Sequence, residues 1–405
     1  MEKLYYENPY QKDFTAEIVN VIEKDNSYHI ELDKSCFYPD GGEQPYDIGF
    51  INSSPITYVY EKDDKVYHVT NIKPLKIHRV KCSIDWKRRF DYMQQHLAQH
   101  IISACFSELL NINVTSVNLG ESSSYIDIDK SIEDAQIRDV EKRANEIILN
   151  SIPVETLYPT NAELKKLLGK KASIKSNEKI RLIRIEDVLI TPCYGIHPNS
   201  TIELQAIKII KWTKKGTGTR IEFISGSRTI SDYFIRYEWI EKMSSILSCN
   251  EAALLNEVKN FKENLNKALS ENGKLKAEIA EYEVQNILNS CESINNIRIV
   301  KSIYDNIDLK HATLLASKLT AFPNVVVLFA VKSGDKSNLH FSCSKDLKIL
   351  SMNSLLKDAI TLVDGKGGGN DFSAQGGGKN NNNLDSAIQY AYNKVKDYVV
   401  GNSKI

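Results

Sequence analysis

The chain has 405 residues, 42% hydrophobic and 26% charged, so it has apolar material for real cores and more length than one ordinary domain uses. Its 52 basic and 52 acidic residues cancel, which excludes a nucleic-acid binder that holds on by bulk charge alone but leaves room for local basic surfaces. No apolar run reaches the length of a membrane span, Met1-Glu2-Lys3-Leu4-Tyr5-Tyr6 lacks the apolar core of a signal peptide, and seven scattered cysteines make an odd number; a reduced, cytoplasmic chain is expected.

Residues 1–85 are rich in strand formers with period-two stretches such as His29-Ile30-Glu31-Leu32-Asp33, broken by turn residues such as Pro39-Asp40-Gly41-Gly42. They predict a small β-barrel. From Trp86 to Leu110 the period changes: Phe90, Met93, Leu97, Ile101 and Cys105 recur at helical steps, with His96 and His100 beside that stripe. Ser131 to Leu149 predicts a second helix, with a capping box from Ser131 to Asp134. Strands over Lys179–Ile185, Thr201–Ile210 and Thr219–Ile224 complete an α+β domain over 86–238. Lysines crowd two stretches, Lys165 to Lys179 and Lys208 to Lys215, the second ending at Arg220. Leu247, Leu254, Val258, Phe261, Leu265, Ala268, Leu275, Ile279 and Tyr282 follow a four–three spacing, so 239–290 predicts a long helix packed as a coiled coil. Residues 291–405 alternate helix and strand, with buried-strand runs at Asn324–Ala330 and His340–Cys343 and a closing helix from Leu384 to Val400. Between them lie Asp364-Gly365-Lys366-Gly367-Gly368-Gly369 and Gln375-Gly376-Gly377-Gly378, whose backbone N–H groups a phosphate could approach.

Chemistry concentrates in two pairs, His96-x-x-x-His100 and Cys193-x-x-x-His197. Positions i and i+4 of a helix share a face, so two imidazoles there can converge on one ion. The second pair adjoins Pro192 and contains Gly195, which points to a turn. Three imidazoles and one thiolate suit tetrahedral Zn²⁺. Leu97 stands where a His-Glu-x-x-His metalloprotease needs its general base, which argues against that chemistry.

In order along the chain, Phe37-Tyr38-Pro39-Asp40-Gly41-Gly42-Glu43-Gln44, Arg89-Phe90-Asp91-Tyr92-Met93-Gln94-Gln95-His96, Ser116-Val117-Asn118-Leu119-Gly120, Pro192-Cys193-Tyr194-Gly195-Ile196-His197-Pro198 and Arg220-Ile221-Glu222-Phe223 resemble the long form of AlaX, the freestanding alanyl-tRNA editing proteins. The heptad helix and the glycine strip resemble the family's C-terminal extension, a domain associated with DHH phosphoesterases. The resemblance implies an α+β multidomain chain: an N-terminal barrel (1–85), a zinc-containing editing domain (86–238), a helical linker (239–290) and an α/β DHH-associated tRNA-binding domain (291–405). Departures from the family pattern are Glu43 for a glycine, Leu97 and Ile196 for threonines, Ser35 for a threonine, and no glycine in Thr201-Ile202-Glu203-Leu204.

The resemblance implies a trans-editing deacylase of mischarged tRNA(Ala), chiefly seryl-tRNA(Ala) with glycyl-tRNA(Ala) as a second substrate. The alternative is a zinc-stabilised tRNA-binding module with little or no catalysis. A DHH phosphoesterase is disfavoured, because the chain has no Asp-His-His tripeptide. His96, His100, Cys193 and His197 would hold Zn²⁺. His96, His100, Gln44 and Gln95 would serve catalysis, and Ser35, Asp40, Gly41 and Gly42 would bind the aminoacyl group. Lys366, Gly367, Gly368, Gly369, Gln375, Gly376, Gly377 and Gly378 would grip the tRNA body. The long helix or the C-terminal domain could also support a homodimer.

Overall fold

The computed structural model describes residues 1–41, 43–74, 79–168, 180–305, 307–334, 336–347 and 350–401; Gly42, Lys170, Lys171, Lys175 and Lys179 lie outside them. The chain divides into two compact units, Met1–Ile246 and Leu247–Ile405.

The first unit begins with a seven-stranded sheet made of β1 (Asp13–Lys24), β2 (Ser27–Leu32), β3 (Gly49–Ile51), β4 (Ser54–Ile56), β5 (Tyr58–Lys62), β6 (Lys65–Thr70) and β7 (Arg79–Ile84), in the order β4-β3-β7-β1-β2-β6-β5. Beyond β4, the Thr57 N–H donates to the Val69 carbonyl of β6 (3.0 Å), which draws the sheet nearly closed into a barrel. Alternation supplies its inside: Val59, Val66 and Ile30 are buried with Phe14, Leu32 and Phe37, while Tyr58, Tyr60 and Tyr67 stack along the outside.

Helix α1 (Trp86–Leu110) starts where Asp85 caps the Arg88 N–H and stops at Asn111, which takes the left-handed conformation. Its apolar stripe packs Leu97, Ile101 and Cys105 against a four-stranded antiparallel sheet of β8 (Val114–Leu119), β9 (Ser124–Ile128), β13 (Ile207–Lys215) and β14 (Gly218–Ser225), ordered β8-β9-β14-β13. A second small sheet holds β10 (Val154–Leu157), β11 (Leu182–Ile185) and β12 (Leu189–Pro192). Helix α2 (Asp134–Leu149) begins later than the sequence suggests, because the capping box is formed by Glu133 and Gln136 and not by Ser131 and Asp134. The expected strand over Thr201–Ile210 is also split. Ser200 and Glu203 form their own capping box, which winds Thr201–Leu204 into a 3-10 turn before β13 begins. Four basic residues of β13 and β14 are answered by acids: Lys208 pairs with Glu141, Lys211 with Glu222, and Lys215 and Arg220 with Asp127. Helix α3 (Ser227–Leu247) buries none of its residues.

The second unit carries α4 (Leu254–Ser290), 37 residues long. Leu247 belongs to the preceding helix, and Val258, Phe261, Leu265, Leu275, Ile279 and Tyr282 of the expected seam are exposed. The buried residues of α4 are Leu254, at the start of that seam, and Ala280, Val284 and Leu288, which pack with Leu315 and Leu319 of α5 (Leu309–Leu319). The sheet of this unit runs β15 (Glu292–Ile294), β16 (Ile297–Asp305), β17 (Val325–Ser333), β18 (Lys336–Cys343), β20 (Ser373–Gly378) and β19 (Lys366–Gly369), with β16 and β17 parallel. Strand β17 is buried from Val325 to Val331 because apolar cores flank both its faces, the second built with α6 (Met352–Ala359) and α7 (Leu384–Gly401). The glycine strip is not a loop: Lys366–Gly369 and Ser373–Gly378 pair as an antiparallel hairpin, and β20 continues the ladder onto β18. Most of its backbone donors are therefore spent on strand pairing, and β19 forms an edge of the sheet. Among the described residues, no helix is long and apolar enough to cross a membrane.

Candidate metal centre

The middle of α1 is buried on every side, so His96 and His100, one turn apart, are enclosed although both are polar. Their rings lie 4.8 Å apart, centroid to centroid, and the ring of His197 comes within 4.6 Å of His96 and 5.3 Å of His100. Cys193 Sγ is 3.5 Å from both His96 Nε2 and His197 Nε2. One donor atom from each of the four residues falls within 4.8 Å of every other, and all four residues are buried. In a tetrahedral site with Zn–N at about 2.0–2.1 Å and Zn–S at about 2.3 Å, a nitrogen and a sulfur sit about 3.6 Å apart, so the observed spacing fits zinc.

Protonation states agree with that fit. Burial and the neighbouring imidazoles hold His96 and His197 well below the usual histidine range, and burial brings His100 down to about 4, so all three rings are neutral and offer a lone pair. Burial, with the Glu43 carboxylate adding to it, pushes the Cys193 thiol up; the charge of a cation is what would favour its thiolate. His100 Nε2 and His197 Nδ1 are buried with no hydrogen-bond partner among the described residues. Coordination is one way to satisfy His100 Nε2, while His197, whose Nε2 faces Cys193, would keep Nδ1 as its outer nitrogen. His96 Nδ1 lies 3.4 Å from Gln44 Oε1, which can only accept, so the proton belongs on Nδ1 and Nε2 is left facing Cys193.

The turn that carries Cys193 and His197 leaves β12 at Pro192 and is held by groups distant in sequence. Arg181, itself buried, donates to the carbonyls of Cys193 (2.9 Å) and Gly195 (2.6 Å) and to Thr156 Oγ1 (3.2 Å). Tyr6 and Tyr38 donate their hydroxyls to the Tyr194 carbonyl, and Ile196 is buried among Tyr5, Tyr38 and Met93. The turn after it is fastened by Glu203, which accepts from Tyr10 and from the Asn199 N–H. Leu97 and Ile196, two of the three residues that stand where the resemblance expects threonine, are both buried in apolar cores.

His96 and His100 form part of the wall of a cleft of about 710 Å³, together with Asp40, Glu43, Gln44 and Asn118. Asp40 accepts from the Tyr58 hydroxyl (2.8 Å), and Gly41 sits exposed beside it with a φ of 92°. Two candidates from the sequence are committed elsewhere. The Gln95 side chain exchanges hydrogen bonds with the backbone of Ser225 (2.9 and 3.0 Å), tying α1 to β14. Ser35 is buried against the barrel core: its hydroxyl donates to His68 Nε2 (2.8 Å), because His68 Nδ1 donates to the Ile30 carbonyl, and it accepts from the Phe37 N–H. In the second unit, Lys366 and Gln375 are exposed on the glycine hairpin. Arg181 belongs to no motif in the sequence, and the contact between Glu43 and Cys193 joins residues 150 positions apart.

Against known proteins, residues 180–222 match the model of the "Threonyl and Alanyl tRNA synthetase second additional domain", and residues 296–397 match the DHHA1 domain. The alanyl-tRNA editing protein AlaX-L of Pyrococcus horikoshii is 29% identical over 388 residues, covering 93% of this chain and 94% of its own length. The likeness to long-form AlaX runs end to end. Alanine–tRNA ligases are similar as well: that of Methanobrevibacter smithii is 28% identical over 97% of this chain, and that of Methanococcus maripaludis 27% over 93%. The chain spans less than half of those ligases, 45% and 42% of their lengths, whereas it spans nearly all of AlaX-L. A solved C-Ala domain of the Aquifex aeolicus alanyl-tRNA synthetase aligns with 26% of this chain at 23% identity and a TM-score of 0.25.

Proposed function

We propose that this chain is a cytoplasmic trans-editing deacylase that hydrolyses the ester of mischarged tRNA(Ala), chiefly seryl-tRNA(Ala) and secondarily glycyl-tRNA(Ala). The observation that carries this reading is the convergence of His96, His100, Cys193 and His197, from two distant segments, with His96 and His100 in the wall of one cleft. The end-to-end likeness to AlaX-L supplies the reaction class. We assign 1–85 to the barrel, 86–238 to the editing domain, 239–290 to the helical linker and 291–405 to tRNA binding.

The reaction adds water to the aminoacyl carbonyl and breaks the bond to the terminal ribose oxygen, which leaves with a proton. The products are the free amino acid and uncharged tRNA. Zinc in this site would act as a Lewis acid and a fixed point of reference for the bound tRNA end. The protein's part is orientation: Gln44, set beside His96 and held by the Ile196 N–H (3.3 Å), leaves its buried Nε2 without a partner, so that amide group is the one to orient a water or ribose hydroxyl. The exposed Gly41 N–H is available to the developing oxyanion. The hairpin with Lys366 and Gln375 would grip the tRNA body, and a second grip raises the effective concentration of the acceptor end at the cleft.

The second reading, a zinc-stabilised tRNA-binding module, is favoured by the donor set itself, since four protein ligands make a closed, structural sphere. Release of labelled serine from seryl-tRNA(Ala) by the zinc-loaded protein separates the two. We expect release well above the buffer rate, lost in His100→Ala and Cys193→Ala. Release at the buffer rate by the wild type overturns the deacylase, and full activity with bound zinc in both variants overturns the site.

A further inference from the structure

Glu43 belongs to a third segment of chain, the turn between β2 and β3 of the barrel, and its carboxylate reaches two of the four donors. Its Oε2 accepts from Cys193 Sγ at 2.8 Å and lies 3.7 Å from His96 Nε2. The four other donors are buried, whereas the Glu43 side chain is 48% exposed and faces the cleft. At 3.7 Å the carboxylate oxygen and the His96 nitrogen are a few tenths of an ångström beyond the roughly 3.4 Å that separates an oxygen and a nitrogen ligand of one tetrahedral zinc ion. At 2.8 Å the same oxygen and the Cys193 sulfur are too close for two such corners and match a hydrogen bond instead. The carboxylate and the thiolate therefore contend for one side of the site.

We propose that Glu43 is a fifth donor of this centre, a carboxylate that exchanges with Cys193 at the corner facing the cleft. The inference rests on the metal site of the proposed function and adds to it a ligand that can yield. A rigid set of three imidazoles and one thiolate gives an incoming group no place, while a donor on a half-exposed side chain gives way at little cost. Carboxylate oxygen is also an ordinary zinc ligand beside histidine, so the exchanged set, three nitrogens and one oxygen, remains a valid sphere.

The test uses the full chain stripped of metal by a chelator and titrated with Co²⁺, read by its visible ligand-field bands and the near-ultraviolet thiolate band, and with Zn²⁺ in competition with a chromophoric chelator. Wild type is compared with Glu43→Gln, Glu43→Gly, Cys193→Ala and the double variant Cys193→Ala/Glu43→Gly, each checked for its fold by circular dichroism. The isosteric Glu43→Gln keeps the turn should glycine loosen it. We expect both Glu43 variants to change the ligand-field bands and to weaken zinc about tenfold or more. Cys193→Ala should still take one equivalent of zinc, and the double variant should bind it far more weakly. Unchanged spectra and affinity in both Glu43 variants overturn the fifth donor and leave the four-ligand site standing. A wild type that binds neither metal overturns both.

Discussion

The α-carbon of Gly195 lies against the imidazole of His96, so closely that a β-carbon there would come within 2.0 Å of the ring's Cε1. The turn and the helix therefore interlock at the one residue that has no side chain, and the ring orientation of His96 depends on it.

Replacing Gly195 by alanine should push the His96 ring out of register with Cys193. We expect Gly195→Ala to fold, with far-ultraviolet circular dichroism unchanged, but to retain much less than one equivalent of zinc after dialysis against a weak chelator. Full zinc retention would show that the ring tolerates the methyl and that the interlock is not what sets it.

Arg181 holds the same turn from the opposite side, through two carbonyls. Arg181→Met leaves both carbonyls without their donor and should weaken zinc by about tenfold or more, as loss of an outer partner commonly does. Arg181→Lys keeps the charge but lacks the fork that reaches both, so its affinity should fall between. Equal zinc affinity in all three proteins would mean the turn is held by Tyr6, Tyr38 and Glu203 alone.

The barrel and α1 are locked by Arg89 and Asp47, both fully buried. Arg89 Nε donates to both Asp47 oxygens at 3.0 Å, its other nitrogens reach the carbonyls of Pro9 and Cys36, and Asp47 also accepts from the Tyr38 N–H. Removing one partner strands the other charge in a dry interior, so Arg89→Met should cost about 3–5 kcal/mol in a denaturant melt. The double variant Arg89→Met/Asp47→Leu should recover part of that loss. A single variant as stable as wild type would refute the pair as the lock.

Hydrogen bonds from Arg220, then Lys215, pull Asp127 down to about 2, below the ordinary carboxylate value of 3.8. The folded state thus gives up this proton more readily than the unfolded chain. The pair's stabilisation is present above about pH 4 and disappears as the pH falls toward 2. Asp127→Asn should cost about 1–2 kcal/mol near neutrality, discounted because both cations are partly exposed, and the gap to wild type should close below about pH 2. A gap that stays constant from pH 7 to pH 2 would rule out the ion pair as its cause.

The centre was legible in the sequence because its ligands come as two local pairs, each obeying a spacing rule that needs no knowledge of the fold. Helix α1 was legible for the same reason, as was β17, whose apolar run is long enough to be buried on both faces. Misreadings arose where local chemistry overrode pattern or where contacts are distant. Ser200 and Glu203 carry a capping signal that outweighs the strand-like Thr201–Ile210, and the cap at Glu133 replaces the one expected at Ser131. The heptad over α4 marked the helix, but Ala280, Val284 and Leu288, which meet α5, lie outside that register. Neither the commitment of Ser35 to His68 nor the reach of Glu43 to Cys193 leaves a trace in spacing, because each joins residues far apart along the chain.

The tripled glycines of the C-terminal hairpin look interchangeable as letters, yet the pleat sorts them into two kinds. At Gly367, Gly369, Gly376 and Gly378 a methyl group would come within 2.2–2.5 Å of the atoms packed there, whereas at Gly368 the nearest atom is 3.7 Å away and at Gly377 it is 3.3 Å. Random substitution across this stretch would therefore produce a striped pattern of survival. Gly368, on the edge strand β19, would be the place where drift is free to install a side chain, and with it a new preference, whereas Gly377, on the inner strand β20, would admit one only as the Asn338 side chain gives way.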